Sequence, residues 1–266
     1  MIHPDAELLI QALQRDMPQS LLLTGQKGVG LYDIARRIAD ATVVNLVRPD
    51  ESTTSRVISV ERIRRLYDET KSRSAVRQFF IIDEADAMTH AAQTAFLKLL
   101  EEPAESIYFI LTSSAQDRLL PTILSRVQRR NVKSITTEQS AEYIASHGVT
   151  DKTKVRQLLF IADGLPEELD RLIQDDVYFE KAAQRMKDAR ELLQASPYDR
   201  LVLAQKYKDN RQEALELIHA CISITRMSLS VRPQAALITQ LKQLLDVQEA
   251  LLMNQNIRLQ LARLVI

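Results

Sequence analysis

Tryptophan is absent from the 266 residues, and cysteine occurs once, as Cys221. One thiol excludes an internal disulfide and fits a reducing compartment, so a cytoplasmic protein is expected. Cys221 lies in the apolar helical pattern "ALELIHACISI" and reads as a core filler. Aromatic residues are 5% of the chain, which suits a helix-rich protein packed with Leu and Ala. No net charge is present: Lys plus Arg is 35 and Asp plus Glu is 35. A neutral chain is a poor stand-alone binder of nucleic acid, and such a role needs a local basic face or basic partners. No apolar run approaches the roughly eighteen residues of a membrane span, so no membrane is expected. Asp5 and Glu7 in the first ten residues argue against a signal peptide. The four histidines, His3, His90, His147 and His219, are scattered without metal-ligand spacing. No internal repeat or low-complexity segment is visible. The length gives a prior of about two domains.

What is present centres on Gln78 to Gln128. Phe79 to Ile82 is a short apolar run that ends in Asp83 and Glu84, the pattern of a buried parallel strand. A second run, Ile107 to Leu111, ends in Thr112, Ser113 and Ser114. Between them Ala92, Phe96, Leu99 and Leu100 recur at helical spacing, and Pro103 stops the helix. Two neighbouring strands would then present carboxylates and hydroxyls at the carboxyl edge of a sheet, where open parallel sheets bind ligands.

Ser20 to Thr24 is another buried strand candidate and leads into "GQKGVGLYDIARRIA". Strand, glycine loop and helix in that order are the context of a phosphate-binding loop, G-x-x-x-x-G-K-[ST]. Gly25 and Gly30 take the glycine positions and Gly28 lies between them. The lysine position, however, is Leu31 and the hydroxyl position is Tyr32. Lysine would put a charge on the β- and γ-phosphates and the hydroxyl would hold Mg²⁺. Leu31 and Tyr32 do neither, and Lys27 would have to reach around the loop to substitute. Loop amides and a helix amino terminus can still attract phosphate.

"IIDEADAM", "LKLLEEP", "ILTSS" and "LLPTILSR", in that order, resemble the AAA+ module of bacterial clamp-loader subunits. The resemblance makes Asp83 and Glu84 the Walker B carboxylates and puts sensor 1 at Ser114. It makes Ser125 and Arg126 the Ser-Arg motif, with Val127 in place of its cysteine. It implies an α/β AAA+ P-loop module with a parallel sheet (1–135), a small helical lid (136–175) and an all-α collar (176–266). A dead loop with a retained Ser-Arg pair is similar to the delta-prime type of DNA polymerase III. That type is a non-hydrolysing ring member that helps load the sliding clamp on primer-template DNA. The implied partners are tau/gamma-type and delta-type subunits. ATP and Mg²⁺ are expected only in neighbouring subunits, where Arg126 would act in trans. No zinc module is expected, because Ala41 to Arg56, read as a link of low hydrophobicity, lacks the family's four cysteines.

Val57 and Ile58 are expected as a short strand, and Ser59 as the N-cap of a helix whose inward face is Ile63, Leu66, Tyr67 and Thr70. Its basic face holds Arg62, Arg64, Arg65, Lys71, Arg73 and Arg77. The resemblance makes Ser59 and Arg62 candidates for DNA contact. Gln128 to Ile135 should close the sheet. In the lid no arginine follows Gly164 at the sensor 2 position; the stretch reads Leu165, Pro166, Glu167, Glu168. The remainder reads as four or five helices broken near Ser196-Pro197 and Arg232-Pro233. Leu241, Leu244, Leu245, Leu251 and Leu252 form its main stripe, and Asn254 and Asn256 precede the last, collar-like helix. Two other functions stay open: an active ATPase of the same family with an unusual loop, and an inactive adaptor in repair or protein remodelling.

Overall fold

The computed structural model describes residues 3–40, 44–50, 56–70, 76–101 and 103–264. The chain divides into two units, Met1–Ile173 and Gln174–Ile266. The first alternates helix and strand: α1 (Pro4–Arg15), β1 (Ser20–Thr24), α2 (Leu31–Ala39), β2 (Val44–Val47), α3 (Val60–Thr70), β3 (Gln78–Ile82), α4 (His90–Glu101), β4 (Ile107–Ser113), α5 (Pro121–Leu124) and β5 (Gln128–Asn131). The helices α6 (Thr137–Ser146), α7 (Lys152–Ala162) and α8 (Pro166–Gln174) follow, and they group with the sheet.

The five strands form one parallel sheet in the order β2-β3-β4-β1-β5. Its central strands are apolar on both faces because helices cover both. On one face Leu22, Phe80, Ile82, Phe109 and Leu111 meet Ile63 and Leu66 of α3 and Phe96 and Leu99 of α4. On the other, Leu21, Leu23, Phe79, Ile81 and Ile110 meet Ile10 and Leu13 of α1 and Ile34 and Ile38 of α2. Phe96 stands edge-on to Phe109 at 5.4 Å between ring centroids. Burying each such side chain contributes about 2–3 kcal/mol before entropy is counted. β5 is an outer strand, and its sequence, Gln-Arg-Arg-Asn, leaves Arg129 exposed, which discourages further strand pairing.

Several expectations need correction. Within the stretch read as a link, Val44–Val47 is a strand paired with β3; it is too short, and too polar at Asn45, to stand out. Positions 41–43 and 51–55 of that stretch, and Lys71 and Arg73, lie outside the described residues. Ile58 makes one isolated bridge to Met88 instead of a strand. Tyr67, expected to point inward on α3, is 45% exposed, while Ile63 and Leu66 are buried as read. α1 is an element beyond those expected from the sequence; Ala6, Ile10 and Leu13 recur at helical spacing and are buried.

The second unit holds α9 (Asp176–Gln194), α10 (Pro197–Lys206), α11 (Arg211–Val231), α12 (Ala235–Leu252) and α13 (Ile257–Ala262). Leu217, Ile218, Cys221 and Ile222 of α11 pack with Leu192, Leu244, Val247 and Leu251. Burial pushes the Cys221 thiol up to about 12, so it is an inert packing group. Of the expected leucine stripe only part is inward: Leu244 and Leu251 are buried, whereas Leu245 and Leu252 are exposed. A stripe of that width spans more than one face of a helix. α11 holds no long continuous apolar run, yet it is long and apolar enough on average to cross a membrane. Its central apolar residues lie in the unit's core. Asn254 takes a left-handed conformation after α12, and Asn256 caps α13 by accepting from the Leu259 amide at 3.1 Å. Both asparagines thus have local backbone reasons to be there.

Candidate nucleotide cleft and arginine edge

The glycine loop joins β1 to α2. Gly28 and Gly30 have φ of 88° and 85°, a region that favours glycine. Gly25 is required for a different reason: a Cβ there would lie 2.9 Å from the Val132 carbonyl and from a Val29 methyl. Packing against the end of β5 therefore demands this glycine with or without a phosphate. Leu31 does not face a ligand; it is buried beside Val29 and Ile34 in the core under the sheet.

Asp83 leaves the end of β3 and its amide donates to Val47 O at 2.9 Å. Its Oδ1 accepts from the Thr112 hydroxyl at 2.7 Å, and its Oδ2 accepts from Arg48 Nε at 3.0 Å. The Thr112 hydroxyl also accepts from the Glu84 amide at 3.0 Å. The Arg48 guanidinium lies over the Tyr32 ring, 4.0 Å from its centroid. Glu84 has a φ of 52° and faces Arg56 at 3.6 Å. Of the two hydroxyls flanking the end of β4, the exposed Ser114 is not the one bonded to the carboxylate; Thr112 is. The sequence placed Thr112 among the hydroxyls at this edge without singling it out, and Arg48 was missed. Arg48 gave no signal beyond standing directly after a short strand.

These residues do not fit a magnesium–nucleotide. Such a ligand needs an ammonium on its phosphates and a small hydroxyl on its metal. Here the first position is in the core, the second is a phenol ring under a guanidinium, and both oxygens of Asp83 already accept hydrogen bonds.

The end of the lid meets the same loop. Gly28 O accepts from the Glu167 amide at 3.2 Å, and Leu165 packs in the core cluster of α2. Gly164, with φ of 74°, has room for no side chain, since a Cβ would lie 2.5 Å from Ile135 O. Glu167 stays exposed, yet partial burial and the neighbouring Asp33 and Asp83 raise its pKa, against the opposing pull of Lys27. An acid, not an arginine, thus stands over the loop.

At the other edge of the sheet α5 runs into Ser125, Arg126 and Val127. Val127 is buried in the core. Ser125 and Arg126 are exposed. The Ser125 hydroxyl donates to Thr122 O at 3.0 Å. Arg126 donates to Thr122 O at 3.0 Å and to Glu101 Oε1 at 2.9 Å. The DNA candidates lie at the start of α3. Ser59 Oγ accepts from the Arg62 amide at 3.4 Å, a capping contact. The Arg62 side chain is turned to Glu69 and to Leu46 O, at 3.1 and 3.3 Å. A further residue unread in the sequence is the buried Gln93, which donates to Met88 O and Arg118 O and accepts from the Leu120 amide. It ties the loop after β3 to the turn before α5. Among the described residues no group of His, Cys, Asp or Glu is disposed to hold a metal.

Residues 36–136 match the family model described as DNA polymerase III, delta subunit. Replication factor C subunit 3 of Saccharomyces cerevisiae is 30% identical over 146 residues, 51% of this chain and 42% of that protein. DNA polymerase III subunit tau of Escherichia coli is 32% identical over 112 residues, 41% of this chain and 17% of that protein. The chain thus spans less than half the length of these curated relatives. In fold it is similar to a DNA polymerase III gamma subunit-related protein of Thermotoga maritima, with a TM-score of 0.56 at 18% identity over 98% of this chain and 97% of that one. It is also similar to the RuvB Holliday junction branch migration motor of the same organism, with a TM-score of 0.50 at 13% identity, covering 76% and 79%.

Proposed function

We propose that this chain, whose α/β unit is an AAA+ module of the clamp-loader subunit family, serves as a non-hydrolysing member of a clamp-loading ring and lends Arg126 to a neighbour's nucleotide. The observation that carries the reading is a contrast within one module. The cleft side chains Leu31 and Asp83 are covered and Tyr32 lies under a guanidinium, whereas Arg126, though paired with Glu101 and Thr122 O, is exposed at the module's edge beside an exposed partner. A guanidinium is always charged and offers forked donors to phosphate oxygens.

In this reading ATP and Mg²⁺ belong to tau/gamma-type neighbours. A delta-type subunit, the sliding clamp and primer-template DNA complete the assembly in the cytoplasm. Ser59 and Arg62 meet DNA only if Arg62 gives up Glu69. The test is reconstitution with the ATPase partners, clamp and primed DNA. Arg126→Ala should assemble normally and lower ATP hydrolysis by at least about tenfold, less than the 10³–10⁵ of a GTPase arginine finger because ring opening can limit turnover. Arg126→Lys should rescue poorly, since a point charge loses the fork. Unchanged hydrolysis in the alanine variant would reject the trans role.

A further inference from the structure

We infer that Arg48 is a resident counter-cation: its guanidinium stands at the cleft carboxylate in the role a metal-bound nucleotide would otherwise fill, so the chain closes its own cleft. The inference rests on the non-hydrolysing reading and deepens it by naming the group that occupies the site.

Strand register delivers the pair. Val47 is paired with Ile82 in neighbouring parallel strands, so residues 48 and 83 each follow directly on one end of the same register. The Asp83 side chain is only 15% exposed, and its charge reaches Glu167, whose pKa is raised by burial and then by Asp33 and Asp83. A carboxylate in such surroundings needs a positive partner. Arg48 Nε supplies one at 3.0 Å, while Thr112 satisfies the other oxygen at 2.7 Å.

Tyr32 supplies the second half of the device. In the pattern G-x-x-x-x-G-K-[ST] its position belongs to the metal-holding hydroxyl. An aromatic face attracts a cation, and the Arg48 guanidinium lies 4.0 Å from the ring centroid. The substitution that removes a metal ligand therefore also provides a seat for the group that replaces the metal. Arginine suits both contacts at once, because its plane can stack while its edge donates. An exposed ion pair alone would contribute little; here the Arg48 side chain is 46% exposed, but the carboxylate it meets is only 15% exposed and its guanidinium is seated on a ring.

The consequence is specific. Restoring the loop's lysine and hydroxyl is not enough to rebuild a magnesium–nucleotide site while Arg48 holds Asp83. A fluorescent ATP analogue titrated into the full-length chain, with and without Mg²⁺, tests this. Leu31→Lys with Tyr32→Thr removes the ring seat but leaves the Arg48–Asp83 ion pair, and should bind with little response to Mg²⁺. Adding Arg48→Ala should make Mg²⁺ tighten binding by about tenfold or more. Equal magnesium response with and without Arg48 overturns the inference. A thermal-melt cycle of Arg48→Ala, Asp83→Asn and the pair keeps the native loop, and decides the matter if the redesigned loop does not fold. Each single change should lower Tm by about 1–4 °C, with the pair well short of the sum; strictly additive shifts also overturn it. Tight magnesium–ATP binding by the unaltered chain would sink the non-hydrolysing reading as well. The role of Arg126 is read separately, in the assembled complex.

Discussion

Arg126 and Glu101 form an ion pair, with Nη2 2.9 Å from Oε1, that joins the turn after α5 to the last residue of α4. Both side chains are open to solvent, at 36% and 53% exposure, so the pair can break at small cost. Exposed pairs of this kind are worth about 0–1 kcal/mol. An arginine that must reach a neighbour's phosphate has to leave such a partner first. We expect Glu101→Gln to preserve assembly and to raise ATP hydrolysis by the reconstituted complex by no more than about fivefold. Steady-state hydrolysis against ATP concentration measures it. A large fall would mean that Glu101 holds Arg126 in its working pose.

The glycines should rank by their surroundings. Gly164→Ala combines a φ of 74° with a Cβ 2.5 Å from a backbone oxygen, and is expected to cost more than about 2 kcal/mol. Gly30→Ala has a φ of 85° but open space, and should cost about 1–2 kcal/mol. Gly25→Ala should be destabilising through its 2.9 Å approach to Val132 O, in the absence of any nucleotide. Urea unfolding of the three variants would show the order.

Asp188 of α9 is 3% exposed and is held by Lys206 and Tyr207, both at 2.5 Å, and by Gln184 at 2.8 Å. Burial alone would raise its pKa; the hydrogen bonds and the Lys206 charge outweigh it and the net direction is down. A depressed carboxylate stabilises above its unfolded pKa of about 4 and loses that contribution as pH falls through the lower folded value. Asp188→Ala should therefore cost about 2 kcal/mol at pH 7. The gap to the parent should shrink in strongly acidic buffer. Chemical unfolding at the two pH values checks both.

Glu167 carries the opposite sign. Burial first, then Asp33 and Asp83, raise its pKa in the folded chain. The neutral form is thus favoured on folding: the contribution is fully present below the ordinary carboxylate range and is lost as pH rises through the folded value. Glu167→Gln should raise Tm at neutral pH, and the difference should vanish below about pH 4. A variant no more stable than the parent at pH 7 would show that the crowding is relieved by solvent.

The sequence by itself determined the α/β class and the position of the cleft. Phe79–Ile82 and Ile107–Leu111 had to be buried, because runs so apolar have nowhere else to go, and their polar ends had to meet at one sheet edge. It also determined that Leu31 and Tyr32 stand at the loop's lysine and Ser/Thr positions. β2 and Arg48 were not legible. Four residues with Asn45 among them carry little hydrophobic signal, and pairing with β3 makes them a strand. Nor could chain order choose Thr112 over Ser114, since the two are spaced to share one side of an extended chain, and only where β4 ends beside β3 decides which one reaches Asp83. Gly25 looked like part of a phosphate loop; its close approach to Val132 O shows a packing demand of its own. Local composition fixes what a segment can bury. Which cation meets which carboxylate depends on strands brought side by side by residues far apart in the chain, and only the tertiary structure decides it.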